Sequence, residues 1–207
     1  DYSDVGLQFS KLGYVVVVQD VRGLYASEGE FHPFLTEATD GYDTLDWIAK
    51  QPWSNAKVGT FGASARGMTQ TALTDTTSPY LKAMFVMVAP SKYFQEVLFQ
   101  GGAFRQELVQ VWNAAQNISV AAKKYGVSSP EFKSVYGEYT QIPGPNGLYW
   151  NLPLNDFPTL SAKYETGTSD YDLLFKHSVL DGYFNYMDIS QKNAASHLPV
   201  YNVGGWY

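Results

Sequence analysis

The chain has 207 residues, of which 45% are apolar, 16% aromatic and 16% charged, a profile of a folded globular protein of one domain or one and a part that excludes disorder and collagen-like repeats. Fourteen Lys and Arg against twenty Asp and Glu leave a net charge of −6 with the basic residues scattered, so neither nucleic acid nor membrane is an expected partner. No apolar run reaches the roughly 20 residues of a membrane span, and residues 1–12 lack a signal peptide's basic start and apolar stretch; a soluble protein, cytoplasmic or secreted, is expected.

Gly13-Tyr14 leads into Val15-Val16-Val17-Val18, a β-branched run too short for a helix and apolar on both faces, which predicts a central strand of a helix-covered parallel sheet. A loop rich in glycine and charge follows through Glu30, and Thr36 then caps a helix on which Ala38, Tyr42, Leu45, Ile48 and Ala49 share a face. Asp40, Asp43 and Asp46 occupy its first turns, where the helix dipole favours negative charge, and Pro52 ends it. Lys57 to Phe61 reads as a second strand, Ala65 to Thr76 as a helix of small residues, and Leu81 to Val88 as a third, buried strand. This alternation predicts an α/β fold with a parallel sheet. From Pro90 the pattern changes to a helix carrying Phe104, Leu108, Val111 and Ala115, followed by a stretch rich in Pro, Gly, Asn and Tyr from Ser128 to Asp170. Leu198 to Val203 reads as a return to the sheet. The expected organisation is residues 1–90 as the first part of the core, 91–196 as an inserted helical cap and 197–207 as the return strand.

Cysteine is absent, which removes disulfides, thiol catalysis and cysteine-ligated zinc. His32, His177 and His197 lie far apart in sequence and form no metal-ligand spacing, so no metal or other cofactor is expected. The sharpest feature is Gly59-Thr60-Phe61-Gly62-Ala63-Ser64-Ala65-Arg66-Gly67, a serine between small residues, after a strand and before a helix. A nucleophile elbow needs that arrangement: the turn lifts Oγ above the sheet edge, small neighbours permit a strained backbone, and the next amide, of Ala65, points with the helix N-terminus toward an oxyanion. The pattern departs from Gly-x-Ser-x-Gly, since Arg66 stands at the last glycine position and Gly67 follows one later. The alternative for an isolated Gly-x-Ser is a serine in a tight βα turn that only packs the sheet.

Gly13 to Gly23, Ser27-Glu28-Gly29, Asp40-Gly41-Tyr42-Asp43, Trp47 and Gln51-Pro52-Trp53-Ser54-Asn55 together resemble the cocaine esterase and X-Pro dipeptidyl-peptidase-like acyl hydrolases, a group that includes α-amino-acid ester hydrolases and glutaryl cephalosporin acylases. The resemblance extends to Gly101-Gly102-Ala103-Phe104 and to Val203-Gly204-Gly205-Trp206-Tyr207. It implies an α/β-hydrolase core with a helical cap, Ser64 as the acyl-accepting nucleophile and the Ala65 amide as half of the oxyanion hole, where the family usually has tyrosine at 65. It also implies that the second oxyanion donor, a tyrosine hydroxyl, lies upstream of Gly13 and that the catalytic Asp and His follow Tyr207. Asn55-Ala56-Lys57 carries alanine where the family favours glycine.

On this reading the 207 residues are the middle of a longer serine hydrolase that cleaves an ester or amide of a small-molecule or short-peptide acyl substrate, and the remainder of the same enzyme supplies Asp and His. Arg66, Trp112 and Trp206 are the candidate substrate contacts. Self-association is left open, and the rival function is a non-catalytic α/β domain used for binding or assembly. Asn117-Ile118-Ser119 fits a glycosylation sequon, relevant only in a eukaryotic secretory route.

Overall fold

A run of small and β-branched residues, Val58–Ala63 (β1), and a mostly apolar run, Leu81–Met87 (β2), pair in parallel, with the helix Ala65–Ala72 (α3) and a short turn of 3₁₀-helix, Leu73–Asp75, between them. These elements come from a computed structural model of the chain that describes residues 3–144, 147–154, 163–166, 174–190 and 197–205. Val200–Val203 (β5) adds to the other side of β2, again in parallel, giving the order β1-β2-β5. Two further helices accompany the sheet: Ser3–Lys11 (α1), which sequence patterning did not predict, and Glu37–Ala49 (α2).

The parallel sheet belongs to a first compact unit of residues 1–21, 37–89 and 192–207. Side chains alternate across β2 after a register irregularity between the Val58–Leu81 and Gly59–Ala83 pairs, and Leu81, Met84 and Val86 are buried in one core with Leu45 of α2 and Leu73. Register places Phe61, Phe85 and Tyr201 side by side on the opposite face, with ring centroids 5.3 and 5.1 Å apart, and Phe9 of α1 lies 5.7 Å from Phe61. Ala56 stands at φ 58, a left-handed backbone that glycine adopts without strain.

The valine run departs from expectation. Residues 14–20 form no strand, and Val15 and Val18 are 60% and 66% exposed. A strand exists only through its neighbours, and among the described residues β1 is paired on the β2 side alone: Val15–Val18 forms no ladder on its other edge, and β-propensity without pairing makes no strand.

A second unit comprises residues 22–36 and 90–191. It holds a turn of π-helix at Phe94–Leu98, the antiparallel pair Phe99–Gln100 (β3) and Ala103–Phe104 (β4), and the helices Gln106–Tyr125 (α4) and Pro130–Gln141 (α5). Helix α5 lies in the stretch that composition marked as irregular. Ser129 caps it by accepting the Phe132 amide at 3.0 Å, and Pro130 fills the first turn. The core of this unit is rich in rings: Leu98, Phe99, Val109, Leu174 and Phe184 are buried together, with Tyr93, Phe94, Phe104 and Phe175 packed against them. Asn117 is also buried, which leaves the sequon no surface for a glycan. No described helix is long and apolar enough to cross a membrane.

Helix α3 crosses β2 at close range. A Cβ on Gly67 would stand 2.7 Å from the Ala89 Cβ and 3.2 Å from the Met87 carbonyl oxygen, neither of which can swing away. Helix propensity alone favours alanine over glycine by about 1 kcal/mol, but the steric term opposes it here. Gly67→Ala is therefore expected to destabilise the full-length protein by about 1–3 kcal/mol. A lowered thermal midpoint by circular dichroism checks this, and an unchanged or raised one contradicts it.

Candidate active site

The three parallel strands end together. Register pairs Ala63 with Met87 and Met87 with Val203, so Ser64, Val88 and Gly204 follow one another along the carboxyl rim of the sheet, the edge at which α/β folds gather ligands. The ladder runs one step past the strands: Ser64 N donates to Met87 O at 2.9 Å, and Val88 N to Val203 O at 2.8 Å.

Ser64 then turns the chain into α3 at φ 56, ψ −126. A side-chain-bearing residue in this region carries strain on the order of 1–3 kcal/mol and persists only where its surroundings over-determine it. The surroundings do so. Its N–H is held by β2, and its carbonyl accepts from Gly67 N at 2.8 Å and Met68 N at 3.0 Å. Serine at a helix N-cap ordinarily folds its hydroxyl back onto the first-turn amides. At this backbone setting it makes no such bond, and Ser64 is exposed. Ala65, the first helical residue, has no intrahelical carbonyl for its amide to meet, so a donor sits directly beside the exposed hydroxyl at the positive end of α3.

Two glycines make the turn possible. A Cβ on Gly62 would meet the Arg66 Cβ at 2.8 Å and the Arg66 carbonyl at 3.1 Å. Gly67, and not the position of Arg66, is where the helix needs its second glycine, because 67 is the point at which α3 touches β2. Arg66 is exposed. The departure from Gly-x-Ser-x-Gly thus moves the glycine to the place of closest approach.

Residues 1–207 match the X-Pro dipeptidyl-peptidase (S15 family) along their whole length. The chain belongs to that family. Among relatives, it is 40% identical over 109 residues to a cocaine esterase of Rhodococcus sp. (strain MB1 Bresler), covering 52% of this chain and 19% of that protein. It is 29% identical over 109 residues to a serine esterase, so named as putative, of Mycobacterium bovis, covering 51% of this chain and 17% of the relative. Of solved structures, an aminopeptidase from a marine sediment archaeon, Thaumarchaeota archaeon, superposes with a TM-score of 0.65 at 26% identity, over 96% of this chain and 33% of that one. An α-amino acid ester hydrolase superposes at 0.60 with 22% identity, over 95% and 32%, a likeness of fold. The core is of the α/β-hydrolase type, and this S15-family chain spans a third or less of each of these relatives.

The other residues singled out from sequence are distributed. Ser64, Ala65 and Arg66 stand together at the rim. Trp112 lies on α4 in the second unit, half-buried, stacked on Phe34 with centroids 5.6 Å apart and planes inclined 18°. Trp206 falls outside the described residues. His32 is half-buried with its Nε2 3.7 Å from Glu30, and His197 is exposed ahead of β5, at the amino end of that strand. No group of three or more His, Asp or Glu among the described residues is placed to hold a metal ion. Sequence reasoning missed Gln70, 5% exposed on α3, whose Nε2 donates to the carbonyls of Gly62 and Arg66. Its signal is a long polar side chain on the buried stripe of a helix.

His177 is engaged locally. Its Nδ1 lies 2.6 Å from Asp181 Oδ2, the Tyr183 ring stacks on it at 3.9 Å, and Asp181 Oδ1 accepts the Tyr183 amide at 3.0 Å. The imidazole hydrogen bond, and after it the Tyr183 amide, hold the Asp181 carboxyl below its ordinary value. A depressed folded-state value means that the stabilisation is present above the unfolded carboxyl's titration and is lost as pH falls through the folded one. In an NMR titration of the full-length protein, the Asp181 carboxyl carbon should show a midpoint below the usual value of about 3.9. His177→Ala should raise that midpoint, and a wild-type midpoint at or above the usual value contradicts the assignment.

Proposed function

We propose that this chain carries the nucleophile of a serine hydrolase that cleaves an ester or amide through an acyl-enzyme. The observation that supports the reading is the backbone of Ser64: a strained φ 56, ψ −126 that presents an exposed hydroxyl, unused as a helix cap, on the carboxyl rim of a parallel sheet. A serine that only packed a turn would gain nothing from that strain. Ser64 Oγ attacks the substrate carbonyl, its proton passing to a general base while the Oγ–C bond forms. The oxyanion receives the Ala65 amide and the field of α3. Collapse expels the alcohol or amine, which takes the proton back from the base, and water attacks the acyl-enzyme by the same route in reverse roles.

The base and its orienting acid are expected after Tyr207. Strand β5 ends on the rim two strands from Ser64, a lateral distance of roughly 10 Å at ordinary strand spacing, so Gly204 stands near the nucleophile along that rim. Arg66 beside the elbow and Trp206 are the proposed substrate contacts for a small-molecule or short-peptide acyl group. The esterase and peptidase names of the relatives agree with this reaction class.

The test is a fluorophosphonate probe on the full-length protein. The wild type should label covalently and Ser64→Ala should not, with ester hydrolysis falling by about 10⁴-fold or more. A folded wild type that fails to label, with Asp and His present in its sequence, would instead indicate a binding domain that has lost its chemistry.

A further inference from the structure

Gln70 sits in the buried stripe of α3, where a methionine would fill the same volume. What the carboxamide adds is two N–H donors, and both go to the elbow. Nε2 donates to Gly62 O at 3.2 Å and to Arg66 O at 3.0 Å. Both acceptors are carbonyl oxygens, which settles the orientation of the amide: reversed, its oxygen would face two others. Gly62 lies two residues before Ser64 and Arg66 two after it, so a single nitrogen ties the last turn of β1 to the first turn of α3 across the residue at φ 56. Gly62 is also where a Cβ would come within 3.2 Å of that nitrogen, so the missing side chain is what lets the amide reach the strand.

We propose that Gln70 is a positioning residue for the Ser64 hydroxyl, closing the elbow from the buried face of α3; this rests on the reading of Ser64 as nucleophile. Gln70 is buried and touches no substrate. Its loss should therefore alter where Oγ and the Ala65 amide stand at the moment of attack, and leave the encounter with substrate unchanged.

The experiment uses the full-length enzyme and a fluorophosphonate probe, resolving reversible affinity from the first-order labelling step. Gln70→Met keeps the volume and removes the donors. Labelling of the folded enzyme should slow by about 10- to 100-fold, as misplacement of reacting groups by a fraction of an ångström to an ångström does, with reversible affinity within about twofold. Gln70→Asn, which draws the amide back by one methylene and out of reach of Gly62, should fall between the two and serves if the methionine variant does not accumulate folded. A lowered thermal midpoint with labelling per folded molecule equal to wild type overturns the proposal, as does a loss carried by affinity alone. Failure of the wild type itself to label overturns the nucleophile reading, and this role with it.

Discussion

The carbonyl of Met87 holds the amide hydrogen of Ser64 one step beyond the last register pair of β1 and β2. That bond denies the chain a wide turn. With its N–H fixed to the neighbouring strand, the backbone can enter α3 only by reversing at a single residue, and the helix then passes close enough to β1 that position 62 bears no side chain and close enough to β2 that position 67 bears none. Strain at Ser64, exposure of its hydroxyl and the proximity of a first-turn amide follow from one hydrogen bond at the end of a parallel ladder.

Much of this was legible in the sequence because its signals are local. Apolar runs bounded by turns marked β1, β2 and β5, and small residues after a Gly-x-Ser marked α3. The valine run at 15–18 misled for a physical reason: β-propensity measures how well a side chain suits a pleated surface, while a strand requires a partner whose position no local pattern encodes. Helix α5 was missed although Ser129-Pro130 is a start signal, because the surrounding prolines, glycines and tyrosines hid its period. The site divides along the same line. Ser64 could be picked out from its neighbours, but the need for glycine at 67 and the reach of Gln70 to Gly62 depend on distances between elements, which periodicity cannot carry.

The second unit shows a different limit. Its core is assembled largely from rings, with Phe94 on Phe99 at 4.9 Å, Phe99 on Phe104 at 5.5 Å and Phe104 on Phe175 at 5.1 Å, contributed by a π-helical turn, two short strands and the helical residues 174–176. Large aromatic surfaces bury enough area per residue that few are needed and no regular spacing has to be kept. Such a core leaves little trace in a helical or alternating pattern, which explains why composition announced a change of architecture there without resolving it.

Position 64 also bears on how the chain can vary. The backbone setting found there is open to glycine without penalty and resisted by every residue with a β-carbon. Drift answering only to the folding equilibrium would install glycine at 64 and relax the bend. The hydroxymethyl group at that spot is thus carried against the folding equilibrium, as the proposed role of Ser64 would require.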